Sequence, residues 1–133
     1  MKKIILAVLA AFAMNGAYAC TSAIIAAKNT ANGRPLLWKH RDTGEENNKV
    51  ERIPAKDGNM EYIGLYNATD TACREAWMGY NSAGFAIMNT ASYNLKDDTI
   101  SASRMDKEGF VMARALQVCK TMNDFKVFLD TLS

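Results

Sequence analysis

The apolar pattern of this chain changes period once, and that change limits the folds open to it. From Thr21 to Asn89, apolar and β-branched residues come in short runs separated by turn-rich stretches; from Glu108 onward they recur at three and four. Thr21 to Lys28 and Leu36 to His40 flank the turn stretch Asn29 to Pro35, which contains Asn32-Gly33, and read as a first hairpin. A polar loop, Asp42 to Asn48, follows. Lys49 to Pro54 and Glu61 to Tyr66 lie either side of Lys56-Asp57-Gly58-Asn59 as a second strand pair. A third is expected from Glu75 to Tyr80, the turn Asn81-Ser82-Ala83-Gly84, and Phe85 to Asn89. Phe110, Val111, Ala115, Val118 and Met122 then form a helical stripe, and Asn123 is placed to cap a last helix presenting Phe125, Phe128, Leu129 and Leu132. Strands first and an apolar-faced helical pair after them predict an α+β fold, with sheets covered on at least one side by helices.

Residues 1–19 stand apart as a secretory leader: basic Lys2 and Lys3, an apolar run from Ile4 to Met14, and the small-residue site Ala17-Tyr18-Ala19. The run is shorter than the roughly 20 apolar residues that span a bilayer. A lipoprotein leader would set a small residue, not the bulky Tyr18, at that place before the cysteine. Ala-x-Ala instead predicts ordinary cleavage between Ala19 and Cys20 and a periplasmic or extracellular protein of one small domain, residues 20–133. Of the 16 Lys+Arg, two leave with the leader, so 14 face 14 Asp+Glu. Such a balance implies no nucleic-acid partner and no membrane attachment once the leader is gone.

Metal and cofactor chemistry find little support. His40 is the single histidine, and Cys20, Cys73 and Cys119 stand at no zinc-binding spacing. In an oxidising compartment Cys73 and Cys119 have the option of a disulfide, against the plainer reading that both are small buried hydrophobes.

Cleavage before Cys20 would give one residue both a thiol and a free α-amine. A thiol has an unperturbed pKa of about 8.5 and an α-amine about 7.7–8.0, so near neutral pH the amine accepts the thiol proton without a histidine. Attack on an amide carbonyl would then leave a thioester on Cys20, released by water or by an acceptor amine.

Three ordered segments carry a family resemblance. Cys20-Thr21-Ser22, Gly33-Arg34-Pro35-Leu36-Leu37-Trp38-Lys39-His40-Arg41-Asp42, and Gly79-Tyr80-Asn81-Ser82-Ala83-Gly84-Phe85-Ala86-Ile87-Met88-Asn89 resemble the amino-terminal-nucleophile (Ntn) cysteine amidohydrolases. That family includes choloylglycine hydrolases, penicillin V acylases and acyl-coenzyme A:6-aminopenicillanic acid acyltransferases. The resemblance implies an αββα sandwich, of which residues 20–133 would supply only the amino-terminal portion. It implies a small-molecule acyl-amide substrate and no cofactor, and leaves an oligomer open. It also implies that Cys20 is the nucleophile, that Asp42 orients its amine, and that Asn89 donates to the oxyanion, with Asn81 a lesser candidate. Where choloylglycine hydrolases commonly show Arg-Asn-x-Asp this chain has Lys39-His40-Arg41-Asp42, so the basic role falls to Lys39 or Arg41.

Plainer roles compete at each position. Asp42 follows a strand as any loop acid does, and Asn81 opens a turn, where asparagine serves the backbone. Asn89 ends an apolar strand, where an amide has no packing purpose. His40 alternates away from Lys39. Trp38 and Met88 adjoin the site in sequence and are candidates to line an acyl pocket. The rival in another class is a lipid-anchored surface or binding protein modified at Cys20, which would exclude catalysis because a thioether is no nucleophile.

Overall fold

The computed structural model describes residues 20–90 and 106–132. Residues 1–19, where a leader is expected, lie outside the described residues. The fold is α+β, with two antiparallel sheets followed by two helices. Strands β1 (Thr21–Ile25) and β2 (Leu36–His40) form a two-stranded sheet. Strands β3 (Asn48–Ile53), β4 (Tyr62–Asn67), β5 (Met78–Asn81) and β6 (Ala86–Met88) form a four-stranded meander in that order. Helices α1 (Glu108–Val118) and α2 (Met122–Asp130) follow. The first strand is shorter than its apolar run, because Ala27–Asn29 turns into a single 3-10 helix.

Side-chain alternation in β4 explains why the sheet holds its helix. Tyr62, Gly64 and Tyr66 are buried on one face, while Ile63, Leu65 and Asn67 are half-buried on the other. Gly64 lies directly opposite Gly79 of β5, so two residues without side chains make a flat place on the buried face. The Tyr66 ring covers Gly64, and Leu116 of α1 lands on Gly79: a Cβ on Gly79 would stand 2.6 Å from Leu116 Cδ1 and 2.5 Å from the Ile63 carbonyl oxygen. Tyr62, Tyr66, Ala76, Phe85, Ala113, Ala115, Leu116 and Cys119 make the core around this contact.

The helices differ from expectation in two respects. The buried face of α1 is Gly109, Met112, Ala113, Ala115 and Leu116, whereas Phe110 and Val118 of the expected stripe are on the solvent side. Leu116 faces inward because Gly79 leaves room for it, and Gly109 does so because the helix passes close to Glu75, where a Cβ would stand 2.8 Å from the Glu75 Cβ. Helix α1 also stops at Val118, so Met122 belongs to the next helix. That helix is capped by Thr121 and not by Asn123. The Thr121 hydroxyl accepts from the Asp124 N–H at 3.1 Å, and the Asp124 carboxylate accepts from the N–H groups of Thr121 and Lys120 at 2.9 and 2.8 Å. This reciprocal box satisfies donors that Asn123, two positions too late, would leave open. Thr121→Ala should cost about 1 kcal/mol of stability, read as a lowered urea midpoint with unchanged slope.

Cys73 and Cys119 are free thiols, Cys119 buried in the core and Cys73 packed against it. Burial pushes the Cys119 thiol up from its ordinary pKa. A second buried titratable group has a measurable consequence. The Tyr66 hydroxyl donates to that of Tyr62 at 3.0 Å, and burial first, then this bond, raise the Tyr66 pKa well above the ordinary tyrosine range. The unfolded chain releases this proton near pH 10 and the native protein does not, so the contribution is intact below that pH and lost above it. Stability should therefore fall by about 1.4 kcal/mol per pH unit above roughly pH 10 from this group alone. Tyr66→Phe should remove that part of the slope in urea titrations, and an unchanged slope would count against a buried, protonated Tyr66.

Candidate active site

The β1–β2 register pairs Ser22 with Lys39 and Thr21 with His40. Since strand residues alternate, Leu37 and Lys39 turn to one half-buried face with Ser22, while Leu36, Trp38 and His40 are exposed on the other. His40 therefore faces away from Lys39, and Trp38, half exposed on that far face, does not line a pocket beside Cys20.

The inward face is tied to the end of β6. The Lys39 ammonium donates to the Asn89 side-chain oxygen at 2.5 Å, to the Asn89 backbone carbonyl at 2.8 Å and to the Trp77 carbonyl at 3.3 Å. Arg41 lies 4.7 Å over the Trp77 ring and donates to the Asn48 side-chain oxygen. The Cys20 thiol donates to the Asp42 backbone carbonyl at 3.7 Å, and the Thr90 hydroxyl donates to the Cys20 carbonyl at 3.1 Å. Hydrogen bonds thus join residues 50 and 70 positions apart, the longer of them ending on the Cys20 backbone.

Two cations lie within electrostatic reach of the Cys20 sulfur. Burial lowers the pKa of Lys39, an effect that Cys20 opposes and Arg41 reinforces. Burial likewise lowers that of Arg41, opposed by Cys20 and then Glu45. Positive charge at this spot favours negative charge that develops on a bound carbonyl oxygen.

The expected site residues separate on inspection. Cys20, Lys39, Arg41, Asp42 and Asn89 come together. Asn81 does not: it is buried, its amide donates both hydrogens to the carbonyls of Leu116 and Cys119 at 2.9 and 2.7 Å, and its oxygen accepts from Ala83 and Phe85. With no hydrogen left to donate, Asn81 is a staple between the β5–β6 turn and the end of α1, not an oxyanion donor. Asp42 meets Cys20 through its backbone, and among the described residues its carboxylate makes no hydrogen bond or ion pair.

Three residues next to these were not anticipated as site residues. Thr90 follows Asn89 directly, and that adjacency was its one sequence signal. Ser22 Oγ and Trp77 Nε1 are buried without a hydrogen-bond partner among the described residues, and nothing in their local pattern marks this. From Asn89 an apolar groove of about 490 Å³ extends along Ile24, Leu37, Ile87, Met88, Met122 and Phe125. Met88 does therefore border an apolar space continuous with Asn89.

No family model, characterised protein or solved structure matches this chain. Among the described residues, no three His, Cys, Asp or Glu side chains gather where a metal ion would be held, and no helix is long and apolar enough to cross a membrane. The chemistry at hand is that of a half-buried thiol, two nearby cations, one anchored amide and an apolar groove.

Proposed function

We propose that this chain carries the nucleophile of an exported Ntn-type cysteine amidohydrolase that cleaves non-peptide linear C–N amide bonds, with its two sheets forming part of an αββα sandwich. The observation that carries the proposal is that Thr90 bonds the Cys20 backbone while its neighbour Asn89 is held by Lys39, a cation within electrostatic reach of the Cys20 sulfur, with Asn89 also lining the apolar groove. It is supported by the leader ending at Ala19 and by the resemblance in three ordered segments.

In this mechanism cleavage frees the Cys20 amine, and the amine takes the thiol proton. The Asp42 carboxylate, half-buried and without a partner among the described residues, is at hand for the resulting ammonium. The thiolate attacks the substrate carbonyl, forming a C–S bond, and Asn89 donates to the oxygen that becomes negative. Collapse of the tetrahedral adduct breaks the C–N bond, and the leaving amine takes the proton held by the α-amine. Water then attacks the thioester, giving a carboxylic acid and restoring the thiol. An amine in place of water gives acyl transfer. The groove volume lies in the range of small-molecule sites, and its lining suits an aliphatic or aromatic acyl group, as in an acylated amino acid, a conjugated bile acid or an acyl lactam.

Intact-mass measurement of the exported protein, alone and quenched during turnover of such amides, tests the proposal. The expected result is a mature terminus at an unmodified Cys20 and a transient acyl adduct on it. A diacylglycerol mass on Cys20 would instead establish a lipid anchor and overturn the mechanism, as would a mature terminus elsewhere.

A further inference from the structure

Building on the amidase function proposed above, we propose that Lys39 is a positioning residue that aims the Asn89 side-chain amide at the oxyanion formed above Cys20. An ammonium group has three hydrogens, and here all three go to oxygens: two on Asn89 itself and one on Trp77. Holding the backbone carbonyl and the side-chain oxygen of the same residue fixes the side-chain torsions between them. Because a carboxamide is planar, fixing its oxygen also fixes the direction of its NH2. Among the described residues that NH2 donates to nothing, so its hydrogens are free for a ligand.

The same contact strengthens the donor. A cation bound to an amide oxygen withdraws electron density from the nitrogen, and chains of hydrogen bonds polarise one another in this way. None of the three ammonium hydrogens goes to the Cys20 sulfur, whose own bond is to the Asp42 carbonyl. The structure thus assigns Lys39 an effect exerted through Asn89, in addition to the field it shares with Arg41. Arg41 has no such contact: its partners are the Trp77 ring and Asn48.

A double-mutant cycle on the exported protein, with an N-acyl amide as substrate, tests this assignment. Asn89→Ala should lower kcat by about 10²–10³, the loss typical of one oxyanion donor. Lys39→Met should lower kcat by a similar factor with little change in KM, and the double variant should lose far less than the product of the two single losses, the small remainder being the field of the lost charge. Lys39→Arg keeps the charge but not the three-point fit, so it should fail to restore kcat. Multiplying losses in the double variant, or full activity in Lys39→Arg, would overturn the assignment.

A second readout needs no turnover. In ¹⁵N NMR the Asn89 side-chain NH2 pair, identified by its loss in Asn89→Ala, should be displaced from free-amide positions in the parent and return to them in Lys39→Met. If Lys39→Met does not fold, the same displacement is compared in Lys39→Arg, where a shift toward free-amide positions is again expected. Unchanged signals in a folded Lys39 variant overturn the positioning role whatever the reaction. The amidase function fails by a different sign, the absence of any acyl adduct on Cys20 in the parent protein.

Discussion

Cys20→Ala should abolish amide turnover and remove the acyl adduct, while leaving the thermal transition of the protein close to that of the parent. The two halves of this result have different causes. Cys20 is only half-buried, and its thiol makes one weak bond, to the Asp42 carbonyl, so the fold loses little when the sulfur goes. The proposed chemistry loses its nucleophile entirely. Cys20→Ser should retain only a trace of activity, because a hydroxyl is far less acidic than a thiol and the α-amine is too weak a base to ionise it. Rates are to be measured on the exported protein with an N-acyl amino acid. Appreciable turnover by Cys20→Ala would remove Cys20 from the reaction.

The largest effect on stability is expected at Gly79. A methyl group there would stand 2.5 Å from the Ile63 carbonyl oxygen and 2.6 Å from Leu116 Cδ1, both far inside van der Waals contact. The leucine can rotate, but the carbonyl belongs to the β4 backbone and moves only with the strand. Gly79→Ala should therefore destabilise by about 3 kcal/mol or more, at the upper end of overpacking costs. Gly79→Ala combined with Leu116→Ala should not recover stability, since the backbone clash remains and a cavity is added where Leu116 is fully buried. Chemical denaturation gives both values. A loss under about 1 kcal/mol in the single variant would mean that the sheet and α1 separate more easily than their close contact implies.

How much of this was legible in the chain depends on how local each cause is. All six strands lie in the stretches that the apolar runs and turn residues mark, with ends shifted by up to three residues, because a strand's face is set by the period of its own backbone. The face of α1 was not legible. The stripe of large residues at Phe110 and Val118 is the stronger sequence signal, yet α1 turns Gly109 to Glu75 and Leu116 to Gly79, partners that stand far earlier in the chain. The cap of α2 was legible in principle, as Thr121 and Asp124 are three apart.

The site divides along the same line. The sequence by itself determined the order of strands before helices and the alternation that sends Lys39 to one face of β2 and His40 to the other. These follow from backbone geometry and from chemistry within a few residues. Only the tertiary structure decided that Asn89, not Asn81, has an amide left to donate, that Lys39 rather than Arg41 holds it, and that Thr90 reaches Cys20. Each of those facts depends on which hydrogen-bond partners stand within about 3 Å once the hairpin docks on the end of β6. Two asparagines eight residues apart have the same side chain; what differs is how many of its hydrogens the fold has already used.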